Sequence, residues 1–214
     1  MQIMRALLLT LGAMTMMSLT ARADEAGDFD YYVLALSWSP SWCAREGDDR
    51  EADQCEAHHD YGWVLHGLWP QYEYGWPENC PTTKAAPTRR QNDAMVDIQG
   101  SGGLAAYQWR KHGRCTGLSG RDYHALARVA YESVNRPDVL RRLTDPVRLP
   151  ASVIEDAFLE VNPEWTADML TITCRDGAIA EARLCLTRDL DPRVCAADTV
   201  RDCTLDHAMF PPIR

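Results

Sequence analysis

Positive charge is what this chain has least of. Lysine occurs twice in 214 residues, at Lys84 and Lys111, and Lys plus Arg total 22 against 31 Asp plus Glu, a formal net charge of -9. Nucleic-acid binders commonly present a basic surface, so composition alone argues against such a partner unless positive charge is focused in one cleft. Long apolar runs are equally scarce: beyond the opening residues no stretch is hydrophobic enough to cross a bilayer. No Ser/Gly-rich linker, low-complexity tract or internal repeat divides the chain. Closely spaced cysteine pairs of the zinc-ribbon kind are missing too, which argues against a cysteine metal cluster.

The opening residues read as a targeting segment. Arg5 supplies a positive charge, Ala6 to Leu19 form an apolar stretch, and Ala21-Arg22-Ala23 puts small residues where a signal peptidase reads. The expectation is a signal peptide over 1–23 and one domain over 24–214, long enough for a substantial core. Removing 1–23 takes away Arg5 and Arg22 and no acid, so the charge moves from -9 to -11. All eight cysteines lie beyond it: Cys43, Cys55, Cys80, Cys115, Cys174, Cys185, Cys195 and Cys203. An even number behind a signal peptide points to disulfides in an oxidising compartment, but spacing does not choose among the pairings.

Along the chain, Asp30 to Trp38 is rich in aromatic and β-branched residues and predicts a buried strand ended by Ser39-Pro40-Ser41. Ala44 to Asp60 is acidic and reads as a loop; Tyr61 to Trp69 reads as a second strand, terminated by Pro70. Tyr72 to Pro87, broken by Gly and Pro, is an exposed loop. Helices are expected over Gln91–Ile98, over Leu104–Gly113 after a Gly100–Gly103 turn, and over Asp122–Asn135, where Tyr123, Leu126, Val129, Ala130 and Val134 recur at helical spacing. Another covers Ala151–Val161 with Ser152 as its cap. Met169–Cys174 and Ile179–Leu186 alternate as a hairpin around Asp176-Gly177. The sum is an α+β domain with a central antiparallel sheet and helices packed on it.

Two segments carry chemistry. His66 lies in Val64-Leu65-His66-Gly67-Leu68-Trp69-Pro70, and imidazole, with an unperturbed pKa of about 6.5, suits proton transfer near neutrality. Alone, a histidine flanked by apolar residues is as readily a satisfied, partly buried one. The second segment is Trp109-Arg110-Lys111-His112-Gly113. On a helix Gln108, Lys111 and His112 fall within one turn, so a cation, an amide and an imidazole can converge on a phosphate. The competing reading is a solvated basic patch at a helix C-terminus. If Cys80 and Cys115 pair, they close a loop of about 36 residues, worth roughly 4 kcal/mol, and hold the two segments side by side. His58, His59, His124 and His207 carry no such context, and no metal ligand set is read from them.

HGLWP and WxKHGxC resemble the two active-site segments of the ribonuclease T2 family, and the likeness runs from about Phe29 through the C-terminal cysteines. The resemblance implies an α+β, disulfide-stapled, metal-free endoribonuclease with low base specificity, needing no cofactor. It acts on single-stranded RNA through a 2′,3′-cyclic phosphate to 3′-phosphate ends and spares DNA, which lacks the nucleophilic 2′-OH. It implies His112 as base, His66 as acid and Lys111 as stabiliser of phosphate charge. Trp69 would stack on a base; Tyr72, Gln71, Ser101 and Tyr107 are further candidates for contact with RNA. It also implies the pairs Cys174–Cys203 and Cys185–Cys195, leaving Cys43–Cys55. A monomer in the periplasm or outside the cell fits this reading.

The chain departs from the family pattern at Tyr107-Gln108-Trp109, where His-Glu-Trp is usual. Gln108 can hydrogen-bond but cannot exchange a proton. Because a nearby carboxylate favours imidazolium, Gln108 leaves His112 with a lower pKa than a glutamate would. Two other readings stay open: a catalytically weak secreted RNA-binding protein on the same fold, and a metal-dependent phosphodiesterase.

Overall fold

The computed structural model describes residues 24–214; the expected signal peptide over 1–23 lies outside the described residues. Six strands form one sheet: β1 (Tyr31–Trp38), β2 (Trp63–Gln71), β3 (Val147–Leu149), β4 (Leu170–Arg175), β5 (Ala178–Leu186) and β6 (Ala208–Phe210). Their order is β2-β1-β5-β6-β3, with β4 also paired to β5. All pairings are antiparallel except the short contact between β5 and β6 at Ala178 and Met209. The described helices are α1 (Ser39–Trp42), α2 (Arg89–Asp93), α3 (Val96–Gln99), α4 (Gly102–Lys111), α5 (Gly120–Glu132) and α6 (Ala151–Val161).

Alternation along β1 separates two faces. Tyr32, Leu34, Leu36 and Trp38 point into the main core, where they meet Ala105 and Trp109 of α4, Tyr123 and Ala127 of α5 and Phe158 of α6. Tyr31 and Val33 point the other way, into a smaller cluster with Cys185 and Cys195, against which Trp69 packs. This second face, only partly covered, carries the site.

Several expectations change. Pro70 does not end β2, which runs on to Gln71 with Pro70 opposite Tyr32. β2 is the last strand on its side of the sheet, where a missing N–H breaks no ladder bond. Its outer carbonyls are instead capped by side chains: Tyr131 donates to Trp63 O, Gln99 to His66 O and Tyr123 to Leu68 O. The stretch expected as a loop over 44–60 is a chain of short helical turns. Gln91–Ile98 divides into α2 and α3. α6 starts after Pro150 without a side-chain cap, and Ser152 lies within it. Val129 faces solvent at 56% exposure, outside the buried stripe of α5. β3 and β6, at three residues each, are too short to show a period.

Four disulfides close the fold: Cys43–Cys55, Cys80–Cys115, Cys174–Cys203 and Cys185–Cys195. The second bears most directly on the site. It ties the loop after β2 to the turn after α4, and beside it Asn79 N donates to Lys111 O at 2.7 Å.

Candidate active site

His66 owes its position to an irregular strand. Between β1 and β2 the register steps from Ala35 opposite Gly67 to Leu36 opposite Leu65, so His66 is the extra residue of a β-bulge. Bulges re-aim side chains beside sites. A second irregularity falls between β4 and β5 at Thr173/Cys174, next to Glu181. The result is a bond of 2.5 Å between His66 Nδ1 and Glu181 Oε1. The other carboxylate oxygen, Oε2, accepts from Arg183 Nε at 2.8 Å and Nη2 at 2.6 Å. Burial pushes the Glu181 pKa up, but its hydrogen bonds and the charges of His66 and Arg183 outweigh that and bring it down to about 2. Glu181 therefore stays a carboxylate. It fixes the imidazole tautomer, with the proton on Nδ1, so that Nε2 is the nitrogen left for the cleft.

His112 stands in the opposite environment. It is the residue that closes α4, with its N–H on Gln108 O. At 8% exposure it is buried, and Nδ1 has no hydrogen-bond partner among the described residues. Burial first, then the neighbouring positive charges of Lys111 and His66, lower its pKa to about 3. One imidazole thus faces a buried carboxylate and the other is held neutral.

Trp69 stands between them. Its ring lies edge-on to His66 with centroids 5.2 Å apart and tilted to His112 at 5.4 Å. Its indole Nε1 donates to Gln108 Oε1 at 2.7 Å, which locks ring and amide together. This bond passes directly over Gly67: a Cβ there would come within 2.3 Å of both Gln108 Oε1 and Trp69 Nε1. The glycine beside His66 is required by close approach rather than by turn geometry. Gly113 has a similar role, since a Cβ would meet Trp109 and Tyr123 at 2.7 Å where the end of α4 crosses α5.

A cleft of about 350 Å³ collects His66, Trp69, Gln71, Tyr107, Gln108, Lys111 and His112. Lys111 and the arginines Arg183 and Arg201 supply its positive charge. Lys111 Nζ is 3.3 Å from Glu78 Oε2, a half-exposed pair that an arriving anion can displace at little cost. Ser101 caps α4 and lines the adjoining groove of about 1080 Å³, in which His66, Arg183 and Arg201 also take part. Tyr72 is not brought to the cleft: it packs on the main core, with its hydroxyl directed at Asp24. Gln71 is buried and its side-chain amide donates to the Pro70 carbonyl.

Sequence reasoning missed three residues here. Glu181 and Arg183 lie 115 and 117 positions from His66, though a Glu and an Arg two apart in an otherwise apolar strand already mark one charged face. Trp76, half exposed on the cleft wall, sits in Gly75-Trp76-Pro77, where a tryptophan on a turn is itself a signal. Gly75 has φ +77, and its N–H donates to Asp198 at 2.6 Å, pinning that wall.

Comparison with known proteins places the chain in a family. The model of the Ribonuclease T2 family matches residues 29–195. A protein described as a ribonuclease from Aeromonas hydrophila is 43% identical over 128 residues, 60% of this chain and 53% of that protein. The chain spans about half the length of the curated relatives it matches. Among solved structures, trichomaglin, described as a novel S-like ribonuclease, superposes with a TM-score of 0.68 at 20% identity, covering 87% of this chain and 100% of that one. An RNase-related protein from Calystegia sepium gives 0.67 at 19% identity, covering 87% and 98%.

Proposed function

The chain belongs to the ribonuclease T2 family, and from that premise we propose that residues 24–214 act as one endoribonuclease domain cleaving single-stranded RNA by attack of the ribose 2′-OH. The observation that carries this reading is the opposed pair of imidazoles, His66 on a carboxylate and His112 neutral, flanking one indole in a cleft with Lys111. An imidazole held neutral by burial, opposite one oriented by a carboxylate, divides base from acid.

In the first step neutral His112 takes the 2′-OH proton as the oxygen attacks phosphorus. The P–O5′ bond breaks, and His66, through Nε2, delivers a proton to the departing oxygen. The products are a 2′,3′-cyclic phosphate and a 5′-hydroxyl. In the second step the roles reverse: His66 deprotonates water, which opens the ring, and His112 protonates the released 2′-oxygen to leave a 3′-phosphate. A phosphodiester bound beside His112 brings negative charge that favours its imidazolium, so the nitrogen gains basicity when substrate arrives. Lys111 releases Glu78 and stabilises charge on the non-bridging oxygens. Trp69, Trp76 and Tyr107 offer aromatic surface for bases, worth about 1–3 kcal/mol per stacked base and tolerant of base identity. Neither nucleophile generation nor leaving-group protonation calls on a carboxylate at position 108, so Gln108 is compatible with turnover.

The four disulfides support an extracytoplasmic site of action, with 1–23 as its signal peptide and a monomer as the acting form. RNA digestion in EDTA tests the reading. The wild type is expected to cleave and leave cyclic phosphate ends, and His112→Ala to lose at least a hundredfold in rate. Loss of wild-type cleavage in EDTA, or RNA retarded but intact, would overturn it.

A further inference from the structure

The segment joining β1 to β2 holds a second pair of histidines, outside the cleft that collects His66 and His112. Asp53 lies in the turn Asp53–Cys55, and His58 and His59 lie in the turn Ala57–His59. These turns are anchored by the Cys43–Cys55 disulfide and by His59 N–H on Glu56 O. Asp60, in a left-handed conformation at φ 51, is gripped by Arg141. His59 stacks on Tyr61 with ring centroids 5.0 Å apart and planes 13° apart. Its Nε2 is 3.0 Å from Asp53 Oδ2, and the ring of His58 lies 4.0 Å from that of His59. One donor atom from each of the three residues falls within 4.8 Å of the other two.

We infer that Asp53, His58 and His59 bind a single divalent transition-metal ion of the zinc class, with water completing its shell. Two imidazoles and a carboxylate are the donor set that such ions take. Bonds of about 2.1 Å in a tetrahedron put ligand atoms roughly 3.4 Å apart. The His59–Asp53 pair is already near that, and rotation of the exposed His58 closes the rest. The surroundings favour a cation: between Glu46 and Asp60 stand seven carboxylates, Glu46, Asp48, Asp49, Glu51, Asp53, Glu56 and Asp60, and one arginine, Arg50. Arginines answer Glu46, Asp48 and Asp60, whereas Asp53 faces His59. None of the three proposed ligands lines the cleft of His112, although Asp53 borders the adjoining groove of about 1080 Å³ that also takes in His66.

Calorimetric titration of the purified chain with zinc chloride tests this. One ion per chain is expected, with binding weakened at least tenfold in both His58→Ala and Asp53→Asn and unchanged in His66→Ala. These side chains are at the surface, and equal urea midpoints of the metal-free variants would exclude misfolding as the cause. Absence of wild-type binding at millimolar zinc, or binding lost in His66→Ala but kept in His58→Ala, would overturn the inference. His58→Ala, whose side chain lines neither the cleft nor the adjoining groove, should cleave RNA in EDTA at the wild-type rate, so failure here leaves the ribonuclease reading intact.

Discussion

Replacing Glu181 by Gln separates the work of the buried carboxylate from that of the histidine it holds. In the wild type Oε1 meets His66 Nδ1, and Oε2 takes two guanidinium N–H bonds from Arg183. Gln keeps one oxygen but turns the other into a donor that faces donors. Glu181 has its pKa drawn from 4.5 to about 2, so the folded state binds that proton less readily than the unfolded chain. Its stabilisation is therefore full above about 4.5 and fades as pH falls toward 2. The gap corresponds to on the order of 3 kcal/mol at neutral pH, the same order as breaking a buried ion pair. Urea unfolding should show Glu181→Gln less stable by about that amount at pH 7 and by much less at pH 3. For catalysis, initial rates on a dinucleoside monophosphate should fall about 10–100-fold in kcat with KM nearly unchanged, because Glu181 acts through His66. A nucleoside 3′-(p-nitrophenyl phosphate), whose leaving group needs no proton, should lose far less. Equal losses on both substrates would refute the assignment of His66 as acid.

Gly67→Ala places a methyl on the Trp69–Gln108 hydrogen bond; a rate loss of at least tenfold and a stability loss of about 2 kcal/mol are expected, and full activity would contradict the packing argument. Gln108→Glu brings a carboxylate toward His112, so the acid limb of the pH–rate profile should move to higher pH; an unmoved limb would show that the two side chains do not sense each other. His124, bonded to Asn92, has its pKa lowered to about 4 by burial. The unfolded chain then binds that proton more readily, and stability drains away as pH falls from about 6.5 toward 4, by up to about 3 kcal/mol. His124→Gln should flatten that part of the stability–pH curve measured by urea unfolding, and an unchanged slope would remove His124 from the acid response.

Sequence periodicity carried well where a segment had one environment along its length. The buried strand β1, the β4–β5 hairpin with Asp176 and Gly177 both at positive φ, and the helix Ala151–Val161 were legible for that reason. Pro70 misled because its tolerance depends on β2 lying at the sheet edge, which local sequence does not reveal. Val129 misled because α5 turns a narrower stripe inward than its apolar positions suggest. In the cleft, His66, His112 and Lys111 were legible because each sits in a distinctive short segment. Glu181 was not, because its partner lies 115 residues away and only the bulge at His66 brings them together.

The central claim, that the 2′-hydroxyl is the nucleophile, is tested most directly by an RNA oligonucleotide carrying one 2′-deoxynucleotide at a mapped cleavage position, digested in EDTA with the product ends identified. The account requires cleavage at the surrounding positions with 2′,3′-cyclic phosphate and 5′-hydroxyl ends, and none on the 3′ side of the deoxynucleotide. Cleavage at that position, or 5′-phosphate ends anywhere, would contradict it.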